Sequence, residues 1–225
     1  MSSQRNATQS SALDRAVEAF AAGEPVLIHD FDDREGEVNM VYPAPDVDSA
    51  AVSRLRNDAG GLVCVALGPE VADAFELPFL ADEIDHPVAE SDHLGYDERS
   101  SFSLTVNHRD TYTGITDADR ALTISRLGEG ATDPDAIDFP REFRAPGHVH
   151  LLRASRYGLA DRRGHTEMAV ALAHEAGRPP AAVVCEMLDD ETGEARSVED
   201  ARAYATENDI PYVEGADLVE AFRAD

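Results

Sequence analysis

Apolar residues recur along the chain with two periods, one typical of helices and one typical of strands. The first helical pattern, with the spacing i, i+3, i+4 and i+7, consists of Leu13, Ala16, Val17 and Phe20. Ser10 or Ser11 provides a cap for this helix, and Gly23 ends it. Residues 1–10 are polar and lack a period. We therefore predict a flexible tail over residues 1–10 and a domain over residues 11–225.

Short apolar runs bounded by Gly, Pro or acidic residues predict the strands. They are residues 26–28, 40–42, 62–67, 101–106, 146–152, 182–187 and 210–213. Helical patterns occupy residues 49–59, 116–128, 166–177, 197 onward and 217–222. The strand at residue 146 opens with a turn at Pro146-Gly147, and residues 81–100 form a long polar connection. This order predicts a single α+β domain, a layered α/β sandwich with a mixed sheet flanked by helices.

The net charge of the chain argues against some classes of binding partner. The formal net charge is −26, and all 19 basic residues are arginine. Such a composition resembles that of halophilic archaeal proteins, in which salt screens the repulsion between carboxylates. It argues against a broad basic surface for nucleic acid or an anionic membrane, and the lack of lysine excludes Schiff-base chemistry and a P-loop. With no long apolar run, no leader and only two cysteines, we expect a cytoplasmic protein.

The stretch Arg162-Arg163-Gly164-His165-Thr166-Glu167 combines several chemistries where a strand pattern gives way to a helix pattern. Two guanidinium groups can hold a phosphate, and Gly164 lets backbone N–H groups approach the same anion. Thr166 can cap the helix, and His165 is a candidate ligand for a divalent metal. A capped helix with solvated arginines is an equally good interpretation of this stretch alone.

A second polar segment, residues 30–39, lies between two apolar strands, where catalytic groups are common. Glu35 and His165 offer one oxygen and one nitrogen ligand. Such a pair can bind Mg²⁺ or Mn²⁺ and leaves the remaining coordination positions open for substrate and water. Arg34, Arg162 and Arg163 would then balance an anionic substrate. The candidates for proton transfer are Asp30, Cys64, His148 and Glu186.

Six segments, in order, resemble the 3,4-dihydroxy-2-butanone-4-phosphate synthases of riboflavin biosynthesis. They are DFDDREGE (30–37), GLVC (61–64), TGITDADR (113–120), PGHV (146–149), RRGHTE (162–167) and VCE (184–186). The resemblance covers residues 11–223 and implies conversion of D-ribulose 5-phosphate into L-3,4-dihydroxy-2-butanone 4-phosphate and formate, with magnesium. It also implies a homodimer with active sites near the subunit interface. Because no second catalytic domain follows Asp225, we expect the stand-alone form.

Through this resemblance, individual residues acquire expected roles. Glu35 and His165 match the metal ligands of the family. The positions that match substrate-binding residues are Arg34, Glu35, Asn39, Thr113, Arg162, Arg163, Gly164, His165, Thr166 and Glu186. His148 and Glu186 match residues essential for catalysis, and Asp30 and Cys64 match further active-site positions.

Two departures from the family pattern and two competing functions accompany this assignment. Asn39 stands where many relatives carry aspartate, so it can hydrogen-bond a sugar hydroxyl but cannot act as a carboxylate base. Arg163 stands where a smaller residue is common, and it either reinforces phosphate binding or points to solvent. The competing functions are another metal-dependent sugar-phosphate isomerase or aldolase, and a non-catalytic protein that binds phosphometabolites.

Overall fold

The apolar runs of the sequence pair side by side in one mixed sheet. A computed structural model describes residues 2–89, 97 and 99–222 of the chain, with side chains from residue 12 onward. The strands are β1 (Val26–His29), β2 (Val38–Pro43), β3 (Cys64–Leu67), β4 (Phe102–His108), β5 (Phe143–Arg153), β6 (Ala181–Glu186) and β7 (Tyr212–Glu214). Their order in the sheet is β4-β5-β3-β6-β2-β1-β7. Only the β3/β5 and β1/β7 pairs are parallel. All seven predicted strands are present among the described residues, which confirms the predicted fold class.

Helices cover both faces of this sheet. Among the described residues they are α1 (Ser2–Ala21), α2 (Ser49–Asn57), α3 (Pro69–Ala74), α4 (Leu80–Glu83), α5 (Asp117–Gly130), α6 (Phe139–Glu142), α7 (His165–Glu175), α8 (Val198–Glu207) and α9 (Gly215–Phe222). A 3-10 turn, Ala44–Asp46, follows β2. No helix of the described chain combines the length and the apolar character that crossing a membrane requires.

Alternation along the strands divides the core into two layers, because successive side chains of a strand point to opposite faces. Leu27 belongs to the layer that contains Leu55 of α2 and Ile124 of α5. Its neighbour Ile28 belongs to the other layer, which contains Phe20 of α1 and Met168 of α7 along with parts of α9. The architecture is therefore helices, sheet, helices, as the sequence pattern predicts.

The sequence misplaces three local boundaries. Helix α1 begins at Ser2, earlier than the start near residue 11 that the apolar pattern predicts; no Gly or Pro interrupts the segment before Gly23. Strand β2 begins at Val38, so Asn39 lies in a strand and not in the preceding loop.

The third boundary concerns Pro146-Gly147, which lies inside β5 and not in a turn before it. Partners on β5 jump from Arg144 to Val149 while β4 advances by one residue, so the intervening residues form a bulge that includes His148. A Cβ on Gly147 would lie 2.0 Å from the Val106 carbonyl carbon. Glycine is needed because the two strands approach closely at this point.

Candidate active site

A cavity of about 250 Å³ opens where β2, β3 and β6 meet the start of α7. It is lined by Glu35, Asn39, Leu62, Cys64, Ser100, Ser101, Phe102, Leu152, Arg162, His165, Thr166, Val184 and Glu186. The sheet register explains part of this set, because Asn39 lies opposite Glu186 and Cys64 lies opposite Val184. Polar groups from segments far apart in the sequence thus line one concave surface, as is usual for active sites.

Glu35 and His165 meet at one side of this cavity although 130 positions separate them. The Glu35 Oε2 atom lies 3.3 Å from the Nδ1 atom of His165. Asp30 is close to the same imidazole, with its Oδ2 atom 3.9 Å from Nδ1. The β1–β2 connection brings both carboxylates here, and the Asp30 N–H donates to the Glu37 carbonyl at 2.8 Å to close it. The proximity on which the sequence argument depends is therefore present.

Positively charged side chains surround the Glu35 carboxylate. The Arg34 side chain, 8% exposed, lies 3.6 Å from Glu35 and 3.5 Å from Asp30. Burial alone would raise the pKa of Glu35, but the hydrogen bond and charge of His165, followed by Arg34 and Arg162, lower it below the ordinary value. Glu35 is consequently ionised at neutral pH and ready to bind a cation.

Glu37, which the sequence analysis did not select, belongs to a second cluster of carboxylates. Glu35, Glu37 and Glu186 each offer an oxygen atom within 4.8 Å of the others. Burial and then the charge of Glu186 raise the pKa of Glu37 to about 7. The sequence did contain a signal, since Glu35 and Glu37 are two positions apart just before a strand and can point to the same side.

These clusters offer two sets of ligands for a divalent cation. One consists of Asp30, Glu35 and His165, and the other of Glu35, Glu37 and Glu186. The Nε2 atom of His165 is buried without a hydrogen-bond partner among the described residues. Carboxylate oxygens with one imidazole suit Mg²⁺ or Mn²⁺ better than softer metals, so the residues present fit such an ion.

The opposite side of the cavity carries the groups suited to a phosphate. Arg162 and Thr166 line it at the N-terminus of α7, where N–H groups of the first turn lack partners within the helix. The expectation that Thr166 caps α7 is wrong, because the cap is Gly164 and Thr166 is the second helical residue. Arg163 points away: its side chain is 44% exposed, packs over the Phe31 ring and does not line the cavity.

Asn39 and Cys64 form part of the cavity wall. The Nδ2 atom of Asn39 is buried without a hydrogen-bond partner among the described residues, so it is available to a ligand hydroxyl. Burial raises the pKa of the Cys64 thiol to about 12. Cys64 is therefore a neutral thiol at physiological pH and a poor base.

His148 and Thr113 do not line this cavity. His148 is exposed in the β5 bulge, and its backbone N–H donates to the Asn107 Oδ1 atom at 2.9 Å. Thr113 is exposed and donates to the Asp119 carboxylate at 3.2 Å. A Cβ on Gly114 would lie 2.1 Å from Asn107, so the loop of Thr113 packs against the residue that holds His148. The two residues thus form a second exposed cluster.

The structure also adds contact residues that no sequence motif indicated. Asp97 contacts the Nε atom of Arg162 and lies 3.5 Å from Arg34, and Ser101 accepts a hydrogen bond from Arg162 Nη1. Leu62 and Phe102 form the apolar wall. Asp97 and Ser101 fall in or beside the polar stretch 81–100, whose lack of period made single residues indistinguishable.

Comparisons with known proteins agree with this geometry. The sequence profile of 3,4-dihydroxy-2-butanone 4-phosphate synthase matches residues 14–221. The enzyme of that name from Archaeoglobus fulgidus is 49% identical over 94% of this chain and 94% of its own length. Its counterpart from Methanosarcina mazei is 47% identical over 93% of this chain and 90% of its own length.

Solved structures show the same likeness. A 3,4-dihydroxy-2-butanone 4-phosphate synthase in complex with two magnesium ions matches with a TM-score of 0.79 and 29% identity, covering 92% of this chain and 94% of that one. The Candida albicans synthase matches with a TM-score of 0.78 and 32% identity, covering 93% of this chain and 96% of that one. The resemblance drawn from six sequence segments is confirmed, and the chain belongs to the 3,4-dihydroxy-2-butanone 4-phosphate synthase family.

Proposed function

We propose that this chain is a lyase of riboflavin biosynthesis that converts D-ribulose 5-phosphate into L-3,4-dihydroxy-2-butanone 4-phosphate and formate. Membership of the family supports this activity. The observation that carries it for this chain is the 3.3 Å approach of Glu35 to His165 in a cavity that Arg162 also lines. A protein that only binds phosphometabolites has no need for this acidic cluster, and the family match does not favour another isomerase or an aldolase.

The phosphate of the substrate would bind at the N-terminus of α7. Arg162 supplies the Nη2 donors of its guanidinium group, while N–H groups and partial positive charge come from the first helical turn. The Thr166 hydroxyl offers one more donor. This end of the cavity would fix the substrate so that its sugar oxygens reach Glu35 and His165.

We assign the metal position to Glu35 and His165, with Mg²⁺ as the ion and Mn²⁺ as an alternative that the same donors accept. When bound, the ion would polarise substrate oxygens and offset developing negative charge. Arg34 would hold Glu35 in place through the contact at 3.6 Å. The buried amide of Asn39 would orient a sugar hydroxyl, since it lies on the wall beside Glu186.

Proton transfer is the remaining task of the side chains. Glu186 stands at the exposed end of β6, lines the cavity and has its carboxylate beside Glu37, whose pKa burial and the charge of Glu186 raise to about 7. We assign the base to Glu186 on this ground. Asp30 is fully enclosed and accepts the Phe31 N–H at 2.7 Å, which suits it to orient His165.

A homodimer would explain how His148 and Thr113, the second exposed cluster, take part in catalysis. His148 and Thr113 lie outside the cavity of their own chain, next to exposed apolar side chains such as Tyr112 (93% exposed) and Ile115 (52%). Large exposed apolar side chains in one region are typical of subunit contacts. We propose that a second copy covers this region and that the active site lies near the contact.

The function is tested by incubating the protein in concentrated KCl with ribulose 5-phosphate and Mg²⁺, and by measuring formate and the four-carbon product by NMR. We expect both products in equal amounts, complete inhibition by a chelator, and loss of activity when KCl is diluted, because −26 charges are then unscreened. Light scattering of the same sample should give twice the chain mass. Isomerised sugar phosphate without formate would identify a different enzyme, and unchanged substrate would identify a binding protein.

A further inference from the structure

A buried carboxylate lies directly behind the phosphate-binding end of the cavity. Glu167 is the third residue of α7, and its side chain has no exposed surface. It does not line the cavity, so it does not contact a ligand there. A buried carboxylate costs free energy unless it is paired, and its presence calls for a reason.

Both oxygen atoms of Glu167 are engaged by fixed donors. The Oε1 atom accepts the Ser155 backbone N–H at 2.9 Å, and the Oε2 atom accepts Arg162 Nη1 at 3.1 Å. Burial raises the pKa of Glu167, while the charge of Arg162 and the Ser155 amide act in the opposite direction. The carboxylate is thus held from the backbone on one side and holds a guanidinium group on the other.

The turn that precedes α7 is shaped around this ion pair. A Cβ on Gly164 would lie 3.0 Å from Arg162 Nη1 and 3.0 Å from Glu167 Oε2. A side chain at this position would crowd both atoms, and glycine leaves the pair its present geometry. The pattern Arg162-x-Gly164-x-x-Glu167 therefore describes one structural unit in which the arginine folds back over the glycine to reach the acid.

The contacts of Arg162 show which of its donors remain for a ligand. Its Nε atom contacts Asp97, and Nη1 donates to Ser101 and Glu167. The Nη2 atom donates to none of the described residues, and the side chain, 17% exposed, lines the cavity. A free arginine side chain would lose rotamer entropy on binding a phosphate, whereas this one is already ordered.

We propose that Glu167 is a positioning residue, which holds the Arg162 guanidinium in the orientation that binds the substrate phosphate. This inference rests on the proposed function in one respect, that a phosphate occupies this end of the cavity. Glu167 acts only through Arg162. Its removal should weaken phosphate binding and raise KM for ribulose 5-phosphate, with a much smaller effect on kcat, because the interaction is present before and during the reaction.

The test is a double-mutant cycle read by calorimetric titration with inorganic phosphate. Glu167→Gln keeps the shape of the side chain and an acceptor for Ser155 but removes the charge. We expect about a tenfold loss of phosphate affinity, from the strength of a hydrogen bond to a charged group. In an Arg162→Ala background the same substitution should change the affinity less than twofold. Glu175→Gln, in the same helix but 32% exposed and beside His174, is the matched control and should leave affinity unchanged.

Equal losses from Glu167→Gln in both backgrounds, or none in either, would overturn the inference, because a purely structural role does not depend on Arg162. If Glu167→Gln fails to give a native circular dichroism spectrum, Glu167→Asp keeps the charge but withdraws it by one methylene. Wild-type phosphate affinity in that variant would also overturn the inference. The titration needs no turnover, so a lack of formate would refute the proposed function while this coupling could still be measured.

Discussion

Replacement of Glu35 by glutamine tests the proposed metal position most directly. The substitution keeps the size of the side chain and removes one negative charge 3.3 Å from His165. A doubly charged cation about 4 Å from a unit negative charge gains about 2 kcal/mol in water and about 8 kcal/mol at an effective dielectric constant of about 20. The Glu35 side chain is 20% exposed, so its environment lies between these limits. The lower limit corresponds to about a 30-fold loss of Mg²⁺ affinity.

Calorimetric titration with Mg²⁺ measures this loss without substrate. The control is Asp33→Asn, which makes the same change of charge in the same loop. Asp33 is 73% exposed, belongs to neither acidic cluster and lies 3.8 Å from Arg163. We expect at least a 30-fold weaker affinity for Glu35→Gln and less than a twofold change for the control. Similar small effects in both variants would mean that Glu35 contributes only to the general acidity of the loop, and the metal assignment would fail.

Two further predictions concern packing and thiol chemistry. Gly128→Ala, inside α5, should gain about 1 kcal/mol in helix propensity but lose more, because its Cβ would lie 2.4 Å from the Pro45 backbone nitrogen. From urea unfolding we expect a free energy of unfolding lower by about 1–3 kcal/mol, whereas Gly130→Ala, whose Cβ would lie 3.3 Å from the Cγ1 atom of Ile137, should stay within about 0.5 kcal/mol of the wild-type value; equal values for the two variants would contradict this. Since burial raises the pKa of Cys64 from 9.0 to about 12, the Cys64 thiol of native protein should react with iodoacetamide at pH 8 about a thousandfold more slowly than the same thiol of unfolded protein. The thiol of the unfolded protein ionises at a lower pH than the native thiol. The stabilisation of the native state by the neutral Cys64 thiol is therefore complete below pH 9 and is lost as the pH rises towards 12. Alkylation of native Cys64 at the unfolded rate would refute the burial argument.

The strands and the fold class could be read from the sequence because they depend on local periodicity. The apolar runs supply side chains to the two core layers, and burial of these side chains requires little information from elsewhere in the chain. The boundaries were less predictable where tertiary contacts outweigh local preference. Gly147 resembles a turn residue, yet β4 and β5 approach so closely that glycine is needed within the strand. Thr166 resembles a helix cap, yet α7 starts after Gly164, so Thr166 is the second residue of the helix and its side chain lines the cavity.

The chemistry of the site divides in the same way. The sequence by itself determined the residue types, because carboxylates, imidazole and arginines in the right order point to a cation and a phosphate. Only the tertiary structure decided that Glu35 and His165 are neighbours, that Arg163 faces solvent, and that His148 and Thr113 lie apart from the cavity. It also revealed Glu37, whose pKa near 7 depends on burial and on the charge of Glu186 from another strand. A sequence specifies which groups are available, but distances between remote residues and the burial that sets their pKa values arise only when the whole sheet and its helices pack together.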